Sequence, residues 1–102
     1  MSVYIVAQLN IHDRDRYAQY EQGFMDVFAK YGGTILAVDE DTQTIEGDWN
    51  HTRTVIIEFP SEDEAKAWYQ CEEYQSLAQH RFAASDGNIA LVAGLGPSQL
   101  EQ

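Results

Sequence analysis

Residues 3–11, VYIVAQLNI, place apolar residues at every odd position and a mixture of polar and apolar residues at the even positions. Successive side chains of a β-strand point to opposite faces, so this segment predicts a strand with one apolar face and one mixed face. From Asp13 to Tyr31, large apolar residues recur at intervals of three and four, the spacing of one helical face. Gly32 and Gly33 follow, and glycine there favours the left-handed residue that ends a helix.

The rest of the chain predicts three more strands and a second helical stretch. The predicted segments are strands at residues 34–38, 53–59 and 89–94, helical structure at 61–82 with a break near Cys71, and a turn at 85–88. Two split strand-helix-strand halves with right-handed crossovers form one antiparallel sheet with the helices on one face. The sequence therefore predicts an α+β, ferredoxin-like βαββαβ domain over residues 1–95, followed by a flexible tail at residues 96–102.

One face of this predicted sheet has no helix to cover it. The uncovered face carries Tyr4, Val6 and Gln8 of the first strand, together with one residue from each of the pairs Ile35 or Leu36, Ile56 or Ile57, and Leu91 or Val92. An exposed face this apolar favours aggregation of a monomer. We therefore expect the chain to pair with itself as a homodimer through the open sheet face, in the two-fold arrangement most common among homo-oligomers.

Composition limits the other partners. A chain of 102 residues, 44% of them hydrophobic, is the size of a single domain. Six Lys and Arg against 17 Asp and Glu give a net charge of -11, which repels phosphate groups, so we expect neither nucleic acid nor a membrane as a partner. The N-terminus lacks the pattern of a signal peptide, and Cys71, the single cysteine, fits a reducing compartment. The expected location is the cytoplasm.

Several short motifs follow one another at a characteristic spacing. They are Tyr31-Gly32-Gly33, Glu46-Gly47-Asp48-Trp49, Arg53, Glu58-Phe59-Pro60-Ser61, Ala67-Trp68-Tyr69, Glu73-Tyr74 and Arg81. Together they resemble domain of unknown function 1330, within the dimeric α/β-barrel superfamily, over residues 2–94. The resemblance implies ferredoxin-like protomers whose sheets join into a barrel. It leaves the chemistry open, because the superfamily includes cofactor-independent monooxygenases, muconolactone isomerases, haem proteins and proteins without known activity. It also implies a serine where this chain has Cys71.

The long connection between the second and third strands contains one group of candidate site residues. Glu46 is a candidate binding carboxylate or general base, Trp49 a candidate apolar wall, and Arg53 a candidate partner for a substrate anion. The alternative is structural: Glu46 pairs with Arg53 to hold the hairpin, and Trp49 packs across the dimer. Connections of this length are more often functional or interface elements than idle ones.

Glu58 interrupts an otherwise apolar strand. If its face of the strand turned toward the barrel interior, burial would raise the pKa of the carboxyl, as a general base requires. The alternative is an ion pair with Arg53 or Arg81, or simple exposure near the strand end. Glu58 is therefore a candidate catalytic residue with a structural alternative.

Tyr74 and Arg81 complete the candidate catalytic set. They lie seven residues apart, two helical turns, so a continuous helix presents both on one face, where a hydroxyl and a guanidinium can bind a carboxylate or enolate. Trp68 is a candidate substrate-binding wall. The alternative assigns Trp68 to the core and pairs Arg81 with Glu72, Glu73 or Glu58.

No metal or cofactor site is expected. His12, His51 and His80 lack the paired spacing of a zinc motif, and Cys71 lacks a CxxC partner. The sequence therefore predicts a small homodimeric protein, in the leading interpretation a cofactor-independent enzyme that binds a small organic molecule between helices and sheet. The alternatives are a non-catalytic small-molecule-binding or assembly module and, less favoured, a haem-dependent enzyme with His80 as the axial ligand.

Overall fold

The computed structural model describes residues 2–95, which form four β-strands and three α-helices. The elements are β1 (Val3–Ile11), α1 (Arg14–Phe28), β2 (Thr34–Asp39), β3 (Arg53–Phe59), α2 (Glu62–Gln70), α3 (Glu72–Ala84) and β4 (Ser85–Ala93), with a short 3₁₀ helix at Ala29–Tyr31. The flexible tail predicted for residues 96–102 lies outside the described residues. Within residues 2–95, no helix has both the length and the apolar character needed to cross a bilayer.

The four strands form one antiparallel sheet in the order β2-β3-β1-β4. At the centre of the sheet, Ile5 of β1 lies between Ile57 of β3 and Leu91 of β4. The odd-numbered residues of β1, from Val3 to Ile11, are all buried, and they form the core with α1, α2 and α3. The predicted α+β, ferredoxin-like βαββαβ arrangement is confirmed.

Helix α1 begins and ends as the sequence predicts. The Asp13 carboxylate accepts a hydrogen bond from the Arg16 backbone N–H at 3.0 Å, which satisfies one of the free amides of the first turn. After Phe28 the chain tightens into the 3₁₀ turn, and Gly32 adopts a left-handed φ of 73°. At Gly33, a side-chain Cβ would stand 2.5 Å from the Phe28 ring, so only glycine lets the chain turn back this close to the core.

The predicted break near Cys71 separates α2 from α3. Cys71 has an extended backbone, with ψ of 149°, and its Sγ accepts a hydrogen bond from the Tyr74 backbone N–H at 3.3 Å. Cysteine thus takes the N-cap position that serine, threonine, asparagine or aspartate usually occupies. The change of direction brings the rings of Trp68 and Tyr74 to a centroid distance of 4.2 Å.

The predicted turn at residues 85–88 is wrong, because β4 begins at Ser85, directly after α3. Ser85 pairs with Ile11, and Gly87 pairs with Leu9. A Cβ on Gly87 would stand 2.0 Å from the backbone oxygen of Gln8. Gly87 is therefore present to allow a close approach of two strands and does not form a turn.

The open face of the sheet is the one that carries Tyr4 and Val6 of β1. Val6 has Ile56 and Ala90 as its strand neighbours, and Tyr4 has Glu58 and Val92. These pairings assign Ile56 and Val92 to the open face. Ile57 and Leu91 face the helices, as their pairing with Ile5 requires, and Ile35 does so with them.

Candidate functional site: a cavity between the helices and the sheet

A cavity of about 220 Å³ lies between the sheet and the helices. Its apolar walls come mainly from strand residues on the helix-facing side of the sheet, among them Ala7, Ile35 and Val55. Its polar lining consists of Tyr17, Tyr20, Glu21, Arg53, Trp68, Tyr74 and Arg81. The exposed residues of the cavity lining are Glu21 and Met25 of α1, Ile35 and Val38 of β2, and Ile89 of β4. Since four of these five lie on α1 and β2, we place the mouth of the cavity between these two elements.

Two tyrosine hydroxyls meet inside the protein beside this cavity. The Tyr20 hydroxyl of α1 and the Tyr74 hydroxyl of α3 are 2.8 Å apart and hydrogen-bonded. Burial, followed by the proximity of Tyr74, raises the pKa of Tyr20 well above its ordinary value, so the phenol stays protonated at neutral pH. One hydrogen bond between two hydroxyls uses one of their two hydrogens. The pair therefore has a second O–H to donate.

Arg81 is a buried cation in the cavity lining. The residue is only 7% exposed, and its guanidinium carbon lies 5.9 Å from the centre of the Tyr20 ring. Burial lowers the pKa of Arg81, but Tyr74 and Tyr20 act in the opposite direction and leave it above its ordinary value. Among residues 2–95, its buried Nε and Nη2 atoms have no hydrogen-bond partner.

The expected acidic partner of Arg81 is not found. No carboxylate of the described residues lies within 4.0 Å of its guanidinium. Glu73 is taken by Lys30, at 2.9 Å, and Glu58 lies on the open face. The expectation that Glu72, Glu73 or Glu58 pairs with Arg81 is therefore wrong for the part of the chain described.

Arg53 also lines the cavity, but its charge is compensated. Its Nη1 donates to Glu21 at 3.1 Å, its Nε lies 3.6 Å from Glu40, and its guanidinium lies over the Tyr17 ring at 5.2 Å. The expected pairing with Glu46 is wrong, because the acidic partners are Glu21 of α1 and Glu40, which directly follows β2. Arg53 thus ties α1 to the sheet at the mouth of the cavity.

Trp68 contributes to both the cavity and the core. It is 2% exposed, lines the cavity, and packs against Phe28, Phe59 and Tyr74. Its indole Nε1 is buried without a hydrogen-bond partner among residues 2–95. The two interpretations of Trp68, core residue and cavity wall, are therefore compatible.

Glu58 lies on the opposite side of the sheet from Tyr74 and Arg81. It pairs with Tyr4 on the open face, where hydrogen bonding to Glu58, with its negative charge, raises the pKa of Tyr4. Within the described chain, the candidate catalytic residue Glu58 therefore does not share a pocket with Tyr74 and Arg81. The face on which a strand residue lies depends on sheet register. Because the neighbours of Glu58 are apolar on both sides of the strand, the sequence alone did not predict which face Glu58 occupies.

The loop candidates Glu46 and Trp49 also lie outside the cavity. Trp49 Nε1 donates to the Thr54 hydroxyl at 3.0 Å, and Thr54 pairs with Gln8 on the open face. Glu46 is exposed beside Gly47, which has a left-handed φ of 77°. The part of the β2–β3 connection that carries Trp49 therefore folds toward the open face, whereas its first residue, Glu40, contacts Arg14 of α1.

Three polar residues of the cavity lining, Tyr17, Tyr20 and Glu21, were not predicted from the sequence as site residues. Tyr17 and Tyr20 belong to the apolar spacing that predicts the first helix, which gave them no role beyond the core. The available signal was the hydroxyl of Tyr20, because tyrosine at a core position needs a hydrogen-bond partner where phenylalanine does not.

Metal and haem chemistry would have to come from histidine, cysteine or acidic side chains. Within the described part of the chain, no group of three such residues is placed to hold a metal ion. The Nδ1 of His80 accepts a hydrogen bond from Arg16 Nε at 2.8 Å, and His80 does not line the cavity.

The fold and the cavity define a small ferredoxin-like α+β protein with a cavity between its helices and its sheet. The chain belongs to the family described as Domain of unknown function (DUF1330), which matches residues 2–95. No functionally curated protein matches the chain. The resemblance predicted from the short motifs is thus confirmed.

Solved structures with the same fold span almost the whole chain. A protein of unknown function from Rhodopseudomonas palustris has a TM-score of 0.79 at 19% identity, covering 94% of this chain and 84% of that one. A dimeric ferredoxin-like protein of unknown function from Thermobifida fusca has a TM-score of 0.67 at 16% identity, covering 92% of each chain. SnoaB, a cofactor-independent oxygenase from Streptomyces nogalater, has a TM-score of 0.60 at 17% identity, covering 91% of this chain and 92% of that one. At these identities the similarity shows the fold.

Proposed function

We propose that the protein is a homodimer in which each protomer binds one small organic molecule in the cavity between helices and sheet, and transforms it without a cofactor. The observation that carries this proposal is the cavity itself, which places the buried cation Arg81 and the Tyr20–Tyr74 hydroxyl pair beside an apolar space of about 220 Å³. Small-molecule sites are typically apolar concavities with a few convergent polar groups.

Packing energetics support a bound ligand. The apolar atoms that line an empty cavity lack the packing contacts that a ligand would provide. The mouth between α1 and β2 gives a small molecule a way in. A cavity that serves no ligand would be filled by larger side chains, and Ala7 in its wall has room for one.

The dimer is proposed to form through the open face of the sheet. Val92 on this face is 46% exposed, and Val6 and Ile56 lie beside it without a covering helix. Several proteins with this fold are described as dimeric. We also propose a cytoplasmic location with neither nucleic acid nor a membrane as partner, since a net charge of -11 disfavours both.

The chemistry proposed for the cavity is stabilisation of negative charge on the bound molecule. Arg81 and the spare O–H of the Tyr20–Tyr74 pair are donors, and donors fixed in a low-dielectric site stabilise an enolate or related anion as it forms. Glu21, the carboxylate of the lining, is held by Arg53. A fold shared with SnoaB, a cofactor-independent oxygenase, is consistent with chemistry of this kind.

The test is whether a small molecule occupies the cavity, and occupancy is detected by NMR of methyl groups. Ile35, Val38 and Val55 line the cavity, whereas Val92 lies on the open face and serves as an internal control. Neutral, anionic and cationic one-ring compounds at about millimolar concentration should include at least one that shifts the cavity methyls saturably and leaves Val92 unchanged.

A cavity-filling variant makes this test specific. Ala7→Leu places a larger side chain in the cavity and should abolish the shifts, whereas Ile56→Leu on the open face should preserve them. If no compound shifts the cavity methyls, or if Ala7→Leu leaves the shifts unchanged, the cavity is not a ligand site. The assembly-module alternative predicts that no compound shifts the cavity methyls, with an intact dimer in sedimentation.

A further inference from the structure

We infer that the ligand of the cavity is a monoanion, a single carboxylate, phenolate or enolate group on an apolar body of about one ring, with its charged oxygen bound to Arg81. This inference rests on the proposed ligand-binding function and names its ligand class. It is carried by the charge inventory of the cavity, which is independent of the cavity's volume.

The positive charge of Arg81 lacks a counter-charge in the described residues. The chain has 17 acidic residues, and the other arginine of the cavity lining, Arg53, contacts two of them, Glu21 and Glu40. Arg81 is more buried than most charged residues ever become, yet none of the acidic residues within the described range 2–95 lies within 4.0 Å of it. Buried charges in proteins are normally paired. We therefore expect a bound ligand to supply the missing anion.

The unsatisfied polar atoms around the cavity are all donors. Arg81 Nε and Nη2, Arg53 Nε and Trp68 Nε1 are buried without a hydrogen-bond partner among residues 2–95. Guanidinium and indole nitrogens cannot accept hydrogen bonds. The Tyr20–Tyr74 pair adds one further O–H. A ligand that complements this lining must offer acceptor atoms, and a cationic or donor-rich ligand would leave these groups unpaired.

The charge balance limits the ligand to one negative group. Glu21 stands at the mouth, but Arg53 already neutralises it, so Arg81 is the unpaired cation of the cavity lining in the described chain. A second anionic group on the ligand would meet no cation there. The net charge of -11 also disfavours the approach of a multiply charged anion.

The remaining lining sets the body of the ligand. The strand residues Ala7, Ile35 and Val55 present apolar walls, and the Trp68 ring forms part of the lining. An apolar cavity of ~150 Å³ holds benzene. The cavity of about 220 Å³ therefore fits one ring with its substituent.

Trp68 can report the binding. The chain has two tryptophans, and Trp49 lies toward the open face, so a Trp49→Phe variant leaves Trp68 in the cavity as the sole indole. Its fluorescence is titrated with benzoate, with the neutral near-isostere benzamide, and with benzylammonium. A fourth probe, 4-nitrophenolate, represents phenolates and enolates and is followed by its own absorbance at mildly alkaline pH.

We expect benzoate or 4-nitrophenolate to bind at least tenfold more tightly than benzamide, with benzylammonium weaker still. The tighter of the two anions distinguishes a carboxylate ligand from an enolate-like one, and either result supports the inference. Arg81→Gln and Arg81→Met should each weaken the anion at least tenfold and change benzamide less than twofold. The matched control is Arg14→Gln, since Arg14 lies outside the cavity and pairs with exposed Glu40.

Three results would overturn the inference. If benzamide binds the cavity as tightly as both anions, the cavity binds neutral molecules, so the proposed function stands and the ligand class is wrong. If Arg81→Gln, with wild-type circular dichroism, weakens anions no more than Arg14→Gln does, then Arg81 is not the anion site. If none of the four probes binds and the methyl shifts of the cavity are also absent, the proposed function falls with it.

Discussion

The Tyr20 hydroxyl of α1 and the Tyr74 hydroxyl of α3 share a hydrogen bond of 2.8 Å inside the protein. Both residues line the cavity, and Arg81 lies beside them under the Tyr20 ring. The bond links the two helices at the depth of the candidate site. The geometry of the donors that face a ligand therefore depends on helix packing, and changes to either tyrosine test both stability and the site.

Removing both hydroxyls of the pair should cost less stability than the sum of the two single removals. Tyr20→Phe or Tyr74→Phe leaves a buried hydroxyl without its partner, and we expect each to lower the free energy of unfolding by about 1–2 kcal/mol. The double variant removes both polar groups, so its loss should be smaller than the sum by about 1 kcal/mol. Urea unfolding of the four proteins gives this coupling, and strictly additive losses would show that the bond contributes nothing.

The raised pKa of Tyr20 predicts a loss of stability at alkaline pH. A tyrosine whose pKa is higher in the folded protein than in the unfolded chain keeps its proton on folding, so its contribution is intact below the unfolded value of 10.0 and is lost as the pH rises above it. The slope is at most about 1.4 kcal/mol per pH unit for one proton. Above pH 10, the free energy of unfolding measured in urea should fall less steeply with pH for Tyr20→Phe than for the wild type. Identical slopes would contradict the prediction.

Arg81 should lower the stability of the protein when no ligand is bound. Replacing a buried charge that lacks a partner with an apolar residue of similar length removes its desolvation penalty, so Arg81→Met should raise the free energy of unfolding by about 1–2 kcal/mol. Arg14→Met, at an exposed ion pair, should change it by less than about 0.5 kcal/mol. Thermal and urea unfolding without ligand measure both. A destabilised Arg81→Met would mean that Arg81 serves the fold and is not kept for a ligand.

Glu58 tests whether the two faces of the sheet act independently. It lies on the open face, whereas Arg81 lies in the cavity on the helix side. Glu58→Gln should therefore leave benzoate affinity within twofold of the wild type. It should tighten the dimer, because a proposed interface on the open face must otherwise bury this carboxylate. Fluorescence titration and sedimentation equilibrium measure the two quantities, and a tenfold loss of benzoate affinity would return Glu58 to the site.

The strands illustrate how far the sequence predicts the fold. The bounds of β1 and β3 are those predicted, since strict alternation defines β1 and Pro60 ends β3. The start of β4 was not predicted, because residues 85–88 have the composition of a turn. Only the close approach of Gly87 to the Gln8 backbone in the folded sheet shows why glycine is needed there. Local patterns therefore predict elements, whereas close approaches between strands depend on tertiary structure.

Some features of the candidate site were likewise predicted from the sequence, whereas others depend on the tertiary structure. The two-turn spacing of Tyr74 and Arg81 was visible in the sequence, and both residues line the cavity. The face occupied by Glu58 depends on register within the sheet, and the partnership of Tyr20 depends on how α1 packs against α3. The absence of a carboxylate near Arg81 in residues 2–95 is likewise a property of the folded chain, because neighbouring Glu72 and Glu73 suggested a partner.

Cys71 occupies a cap position where serine should perform better. Its Sγ accepts the Tyr74 N–H at 3.3 Å, but a thiol is a weak acceptor, whereas a serine hydroxyl is a preferred N-cap group. Cys71→Ser should therefore raise the free energy of unfolding by about 0.5 kcal/mol, and Cys71→Ala, which removes the cap, should lower it by about 0.5–1 kcal/mol.

The cap also affects the site, because Tyr74 lies in the first turn of α3. A better-held first turn should fix the Tyr74 hydroxyl against Tyr20, so Cys71→Ser should keep or improve benzoate affinity, while Cys71→Ala should weaken it. Urea unfolding and the Trp68 fluorescence titration on the same samples measure both quantities. Equal stability of the serine and alanine variants would show that the Sγ contact does not cap the helix, and that the break at Cys71 is maintained by the packing of Trp68 on Tyr74.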